Sequence, residues 1–261
     1  MGFEGKVALV TGAAGSIGKG IAQRLCELGA NVFITDLDQG KLDEIAAELS
    51  AGAGDCQGLA ADATSAEQVH NVVAACVEAF GERIDILVNV AGTVGKGGKV
   101  EDLAEETWDF VFAVNCKGTF LFIKEAVPYM KAAGSGKIIN FSSKSGKTGS
   151  ALMSAYSSAK AAIIGFTQAL AFELAKDKIN VNCVCPGITM DTGVWNNVSA
   201  DYVENMGLPI DEIVQKFTAK VPLGRLAAIK DVVAVTVFLA SEGADYMTGQ
   251  AVNITGGRDV H

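Results

Sequence analysis

Short apolar runs rich in β-branched residues alternate with stretches of helical periodicity along the whole chain. Residues 6–11 (KVALVT) read as a strand, because a short apolar run bounded by turn signals suits a strand buried on both faces. Residues 17–28 repeat apolar positions at helical spacing and stop at Gly29. Further strands are expected at 31–35 (NVFIT), 57–61, 84–89 (IDILVN), 137–141 (KIINF), 179–185 (INVNCVC) and 251–254. Helices are expected at 42–49, at 66–80 (closed by Gly81), at 105–132 as one unbroken helix, at 155–175 and at 231–239. Nearly all-apolar strands separated by helices imply a parallel sheet covered on both faces. No linker, repeat or low-complexity block divides residues 1–261. The expectation is one α/β domain, a Rossmann-type doubly wound parallel sheet with its sites at the carboxyl ends of the strands. The less regular stretch 188–220 is expected to form a lid over substrate.

Composition narrows the function. With 49% hydrophobic and 20% charged residues among 261, the chain has material for one substantial core. A net charge of −9 argues against a nucleic-acid surface, which needs a basic stripe. The apolar run 7–10 is too short for a signal peptide, no run approaches a membrane span, and Lys6 stands where a myristoylation signal needs Ser or Thr. A cytoplasmic protein without membrane partners is therefore expected. Six cysteines form no CxxC pair and read as reduced, buried side chains. His70 and His261 lie near no cysteine cluster, so no metal is expected. No GxSxG elbow accompanies them either, which removes a serine hydrolase.

Residues 11–18 (TGAAGSIG) sit where the first strand meets the first helix. Gly12 permits a tight turn, Gly15 lets backbone approach a pyrophosphate, and Gly18 allows close helix–strand packing. Ser16 and Ile17 begin the helix, whose free N–H groups and dipole favour an anion. Asp36 ends the second strand at the position of an acidic residue that meets the adenosine ribose. A carboxylate there repels a 2′-phosphate, and Leu37 follows where an arginine is absent. NAD(H) is expected over NADP(H). The competing role for Asp36 is a cap on the helix that starts near Asp38. A second glycine-rich segment, Gly134-Ser-Gly-Lys137, fails as a P-loop because Lys131 replaces its opening glycine and Ile138 follows the lysine.

Tyr156 and Lys160 stand one helical turn apart, so their heads can converge. An ammonium beside a phenol favours the phenolate, and a phenol so tuned can exchange a proton with an alcohol or carbonyl. A lone pair at this spacing is more often an aromatic core residue and a solvated lysine; its company decides.

That company resembles the short-chain dehydrogenase/reductase family, in its branch of about 250 residues, along the whole chain. The motifs are TGAAGSIG, Asp62 after the third strand, NVAG at 89–92, Asn115, Ser142-Ser143, YSSAK at 156–160, Pro186-Gly187 and the ending TGQAVNITGG. The resemblance implies that Tyr156 is the general acid/base and that Lys160 lowers its pKa and holds the nicotinamide ribose. It implies that Ser143, thirteen residues before the tyrosine, bonds the reacting oxygen, and that Asn115 holds a water in a relay with Lys160. It also places Asp62 and Ala63 at adenine, Asn89, Ala91 and Gly92 near the adenosine-side ribose, and Pro186, Gly187, Ile188 and Thr192 at the nicotinamide end, Ile188 through its backbone. Ser145, Val94, Met153 and Trp195 join Ser143 and Tyr156 around the substrate. Two departures stand out. The middle glycine of the turn has moved one place, giving Gly15-Ser16, and Val90 replaces the usual second Asn of NVAG, removing one polar contact.

The region 186–225, with Trp195, Met206 and Pro209, resembles that of sugar-alcohol and sugar-phosphate dehydrogenases of the family. The expected substrate is a polyol or small polar hydroxy compound, neutral or anionic, interconverted between a secondary alcohol and a ketone. Lys96, Lys99, Lys144 and Lys147 suggest either an anion-attracting mouth or four solvated lysines. Alternatives are a hydroxysteroid or other hydrophobic alcohol, for which Val94, Met153 and Trp195 offer apolar lining, and a catalytically silent dinucleotide sensor. The intact Asn115, Ser143, Tyr156 and Lys160 speak against the last. The resemblance further implies a homotetramer, with helices near 105–132 and 155–175 at one interface.

Overall fold

The computed structural model describes residues 2–193, 195, 199, 203 and 207–260. Seven strands form one sheet: β1 Val7–Thr11, β2 Asn31–Thr35, β3 Cys56–Gly58, β4 Ile86–Asn89, β5 Gly136–Phe141, β6 Ile179–Pro186 and β7 Ala251–Ile254. All pairs are parallel, in the order β3-β2-β1-β4-β5-β6-β7. The chain winds outward from β1 to β3, then crosses to β4 on the other side of β1. That reversal opens a crevice at the carboxyl ends of β1 and β4.

Alternation along the strands feeds two cores. Ala8, Val10 and Ile34 pack under α1 (Ser16–Glu27), α2 (Gln39–Leu49) and the late helix Ile229–Ala240. Val7, Leu9 and Leu87 pack on the opposite face under α3 (Ala66–Phe80), with Phe122, Met130, Leu170 and Leu174 from later helices. The expected Rossmann-type single domain is what the chain forms.

Three local differences bear on function. The unbroken helix expected at 105–132 is instead α4 (Glu105–Phe112), a π-helical turn at Ala113–Lys117, and α5 (Gly118–Ala133). Wider turns of this kind are insertions that re-aim a side chain, and Asn115 at its centre is 1% exposed. Periodicity alone does not reveal it, because the flanking apolar spacing stays helical. A five-residue helix, α6 (Lys144–Thr148), follows β5, and the Ser143 hydroxyl caps it by accepting from the Ser145 N–H at 3.1 Å. Within 188–220 a helix forms at Ile210–Thr218, and a Thr189–Ala227 bridge ties down the start of the stretch. Met206 lies outside the described residues.

Candidate active site

The crevice opens into a cavity of about 630 Å³ running from the glycine turn to Trp195. Gly12 has φ +67°, and a Cβ there would stand 2.7 Å from the Ala91 nitrogen. A Cβ on Gly18 would meet the Gly12 carbonyl oxygen at 2.2 Å. Gly15 is the N-cap of α1, makes no side-chain cap, and no acidic residue occupies the first turn. The first-turn N–H groups and the dipole are thus left for an external anion. The cradle therefore fits a dinucleotide pyrophosphate.

Asp36 stands at the cavity wall beyond this cradle. Its carboxylate accepts from the Ala14 N–H at 3.0 Å and the Leu37 N–H at 2.7 Å. It does not cap α2: Asp38 does, accepting from the Lys41 N–H at 3.2 Å. The residue is thus held by the turn with its remaining lone pairs at the cavity. Leu37 beside it is 73% exposed, an apolar side chain at the position where an arginine would receive a 2′-phosphate.

At the other end, α7 (Ser154–Leu174) presents Tyr156 and Lys160. Lys160 is buried, and its ammonium donates to the Phe141 carbonyl at 2.8 Å while lying 5.7 Å from the Tyr156 ring centroid. Burial pulls its pKa down to about 8. Burial also pushes the Tyr156 phenol above its ordinary value, opposed by a hydrogen bond with Ser143. The phenol is thus shifted upward by desolvation, against the depression expected from its cationic neighbour. Ser142 is occupied elsewhere, donating to the Lys160 carbonyl at 2.7 Å. Of the serine pair, Ser143 is the one that acts on the phenol, drawing its pKa back down.

Asn115 reaches the same point from behind. Its amide donates to Thr93 O at 2.7 Å and Val111 O at 2.8 Å, leaving Oδ1 buried without a partner. A Cβ on Gly92 would lie 2.7 Å from that oxygen and 3.1 Å from the Lys160 nitrogen. Two groups of opposite polarity thus flank one glycine, the setting a bridging water needs.

Gly12, Gly15, Ser16, Ile17, Gly18, Leu37, Asp62, Ala63, Ala91, Gly92, Pro186, Gly187, Ile188 and Thr192 all line the cavity, as do Val94, Ser145, Met153 and Trp195. Several are committed differently from expectation. Asn89 is buried behind the wall and donates to Asn140 Oδ1 at 2.9 Å, while its own Oδ1 is left without a partner. Asn140 in turn donates to Thr167 at 3.0 Å. This ladder across β4, β5 and α7 ties the central strands together although Val90 lacks an amide. Ser16 donates to the Asp191 carbonyl at 3.0 Å, tying the turn to the 188–220 stretch. The Asp62 carboxylate accepts from Thr64 N and Oγ1, both at 2.8 Å. The Ile188 carbonyl accepts from Ala227 N at 3.1 Å. Thr192 donates to Thr189 O at 3.0 Å and accepts from Trp195 N at 3.1 Å, so its hydroxyl braces the loop.

The four lysines do not share a mouth. Lys147 donates to the Ala251 carbonyl at 2.7 Å, Lys96 and Lys99 are exposed away from the lining, and only Lys144 faces the cavity. Sequence reasoning missed Ser150, which bonds Ser145 at 2.8 Å between hydroxyls, and the wall residues Phe110, Phe217 and Arg258. No periodicity or motif marks these, because they arrive from distant segments. Among the described residues there is no group able to hold a metal ion and no helix long and apolar enough to cross a membrane.

A sheet reversing beside a glycine cradle, with tyrosine and lysine across the cavity, defines a nicotinamide-dinucleotide oxidoreductase of the Rossmann type. The chain belongs to the short-chain dehydrogenase/reductase family, matching the family model described as Enoyl-(Acyl carrier protein) reductase over residues 12–259. It is 39% identical over 258 residues to galactitol 2-dehydrogenase of Agrobacterium fabrum, covering 98% of each chain. Its fold is similar to that of NAD+-bound xylitol dehydrogenase, with a TM-score of 0.93 at 32% identity, covering 98% of this chain and 99% of that one. It is also similar to a singly substituted actinorhodin polyketide ketoreductase with NADPH, with a TM-score of 0.92 at 36% identity and 98% coverage of each.

Proposed function

We propose that this enzyme interconverts a secondary alcohol and a ketone on a polyol or related small polar hydroxy compound, with NAD(H) as cofactor. The observation that carries the reading is the gathering of Ser143, Tyr156 and Lys160 at one end of a cavity, with Asn115 directly behind Gly92, while the other end holds the glycine cradle and Asp36. Asp36 and the neighbouring Leu37 support NAD(H), since a carboxylate without a nearby cation disfavours a 2′-phosphate. Similarity to galactitol and xylitol dehydrogenases supports the polyol, as do the Ser143, Ser145 and Ser150 hydroxyls on the cavity wall.

When bound, the dinucleotide supplies the two-electron redox chemistry at the carbinol carbon. The residues handle the proton and the position. In the oxidative direction Tyr156 Oη takes the carbinol proton, and Ser143, bonded to the phenol, holds the same oxygen. Lys160 carries positive charge beside the phenolate that accepts this proton and, in the reductive direction, beside the phenolate that forms. Asn115 Oδ1 accepts from a water that bonds the Lys160 ammonium, which gives the proton a way out. Donors fixed before the reaction stabilise charge at little reorganisation cost. The stretch 188–220 serves as the lid over substrate, and at its described start Thr192 and the Thr189–Ala227 bridge hold the chain in place.

A homotetramer in a cytoplasmic setting completes the reading. Phe120 on α5 and Phe172 on α7 are 46% and 88% exposed, aromatic surface that association would cover. The six free cysteines suit a reducing compartment.

Tyr156→Phe tests the proposal. NADH formation from a panel of polyols should fall at least about 1,000-fold, in line with loss of a positioned acid/base and its oxyanion donor. Binding of NAD, followed by calorimetry, should persist. Turnover that survives the substitution overturns the mechanism.

A further inference from the structure

The ionisable groups lining the cavity separate by sign. The carboxylates are Asp36 and Asp62, toward the cradle; the cations are Lys144 and Lys160, next to and beneath Ser143, and Arg258, whose neighbour Asp259 meets Thr148 at the end of α6. Lys160 is committed to the Phe141 carbonyl, and Lys144 makes a long contact of 3.4 Å with the Gly149 carbonyl. Arg258 makes no side-chain hydrogen bond or ion pair among the described residues. Its guanidinium lies over the Phe217 ring, 5.7 Å from the centroid, at the cavity wall.

This arginine is not on a frayed end. Its N–H donates to the Thr255 carbonyl at 3.2 Å. The next carbonyl, that of Asp259, accepts from Asn253 at 3.1 Å and Thr255 at 3.0 Å. The Asp259 carboxylate turns to Thr148 at 3.4 Å, at the end of α6, which begins beside Ser143. The tail is thus fastened against the substrate side of the cavity. A stacked guanidinium keeps its planar fork of donors at small entropy cost, the geometry that oxyanions match.

We propose that Arg258 is a specificity residue that receives an oxyanion, a carboxylate or a phosphate, carried by the substrate at the end remote from the reacting carbinol. This rests on the dehydrogenase reading above and names the substrate class within it. On a chain of net charge −9, cations at the cavity wall also draw anions toward it.

The test compares three secondary alcohols of one carbon skeleton: a neutral polyol, the corresponding hydroxycarboxylate and the polyol phosphate. The wild type should show a higher kcat/KM for at least one anionic member than for the neutral one. In Arg258→Gln that anionic-to-neutral ratio should fall about 10- to 100-fold, the range for hydrogen bonds to a charged group, mainly through KM. Arg258→Lys should retain part of it. Preference for the carboxylate alone or the phosphate alone supports the inference and identifies which oxyanion is used. A wild type with no anionic preference, or a Gln variant that loses neutral and anionic turnover equally, overturns the inference while leaving the dehydrogenase reading intact. Absence of turnover across the whole panel overturns that reading, and this one with it.

Discussion

Gly92 offers a sharp probe of the relay, because a single methyl group can be placed between its two polar members. Gly92 does not have the left-handed backbone that strains other residues, so Ala is tolerated by the main chain. Its Cβ would nevertheless stand 2.7 Å from Asn115 Oδ1 and 3.1 Å from Lys160 Nζ, and the first contact forces something to move. Asn115 cannot swing away freely, since its amide nitrogen is held at 2.7 Å and 2.8 Å by two carbonyls. Lys160 is likewise fixed at 2.8 Å to Phe141. Displacing either weakens a hydrogen bond in a buried site, worth about 1.5–3 kcal/mol where a charge is involved. If that loss falls on the transition state, kcat in Gly92→Ala drops about 10- to 100-fold. The assay is steady-state NADH formation at saturating polyol, with the pH profile of kcat recorded alongside. In a double-mutant cycle, Asn115→Ala creates the space the methyl needs. Gly92→Ala should therefore cost little in the Asn115→Ala background. Additive losses, or a Gly92→Ala enzyme with kcat close to that of wild type, would refute the relay geometry.

Other outcomes follow from the same site. Asp36→Asn should narrow the preference for NAD over NADP by about 10-fold or more, read as the ratio of kcat/KM values, because it removes a carboxylate that repels a 2′-phosphate. A wild-type preference for NADP would sink the ribose assignment outright. Lys160 titrates at about 8 when folded against 10.5 as an ordinary lysine, so between those values the unfolded chain binds more protons. Its contribution makes unfolding free energy rise with pH across that window. The urea midpoint of Lys160→Met should therefore stand highest relative to wild type at the acid end of the window and lose ground toward the alkaline end; parallel curves would contradict the burial. The difference in phenolate absorbance between wild type and Tyr156→Phe, recorded without cofactor, should emerge only above pH 10.0, the ordinary value for a tyrosine. An earlier onset would mean that the ammonium dominates the resting site.

Much of the architecture is legible in the sequence because the signals are local. The strands at Asn31–Thr35 and Ala251–Ile254 and the helix at Ala66–Phe80 have the bounds that periodicity and turn residues suggest. The glycine turn reads directly as a cradle, since each glycine answers a contact within a few residues or across one strand pair. What is not legible depends on distance or on competition. The π-helical turn around Asn115 leaves the apolar spacing of its flanks intact, so nothing in the pattern marks the insertion. Asn89 has the place of a ribose ligand in its motif, yet Asn140, 51 residues away, claims its amide. Lys147 has the setting of a solvated lysine, yet β7 brings the Ala251 carbonyl beside it. Arg258 becomes visible only when the end of the chain folds back against Phe217.

The tyrosine–lysine pair shows why spacing can identify partners without settling which force between them wins. Taking the 5.7 Å from ammonium to ring centroid as their separation and an effective dielectric near 20, the attraction of ammonium for phenolate is about 3 kcal/mol. Full burial moves a pKa by as much as about 3–5, or roughly 4–7 kcal/mol, always against the charged form. Desolvation can therefore outweigh an attraction of this size, and burial is the first cause of a phenol raised above its usual value beside a lysine lowered to about 8. Both shifts favour neutral partners, so this pair alone is a reluctant acid/base. It needs further stabilisers of charge, and two are prepared. The unpaired Asn115 Oδ1 can accept from a water on the ammonium, which holds Lys160 charged. The cavity in front of the phenol can receive a positive charge, which favours phenolate further. The acidity of Tyr156 is thus set jointly by the pair and by what the cavity binds, and spacing along a helix reports only the first.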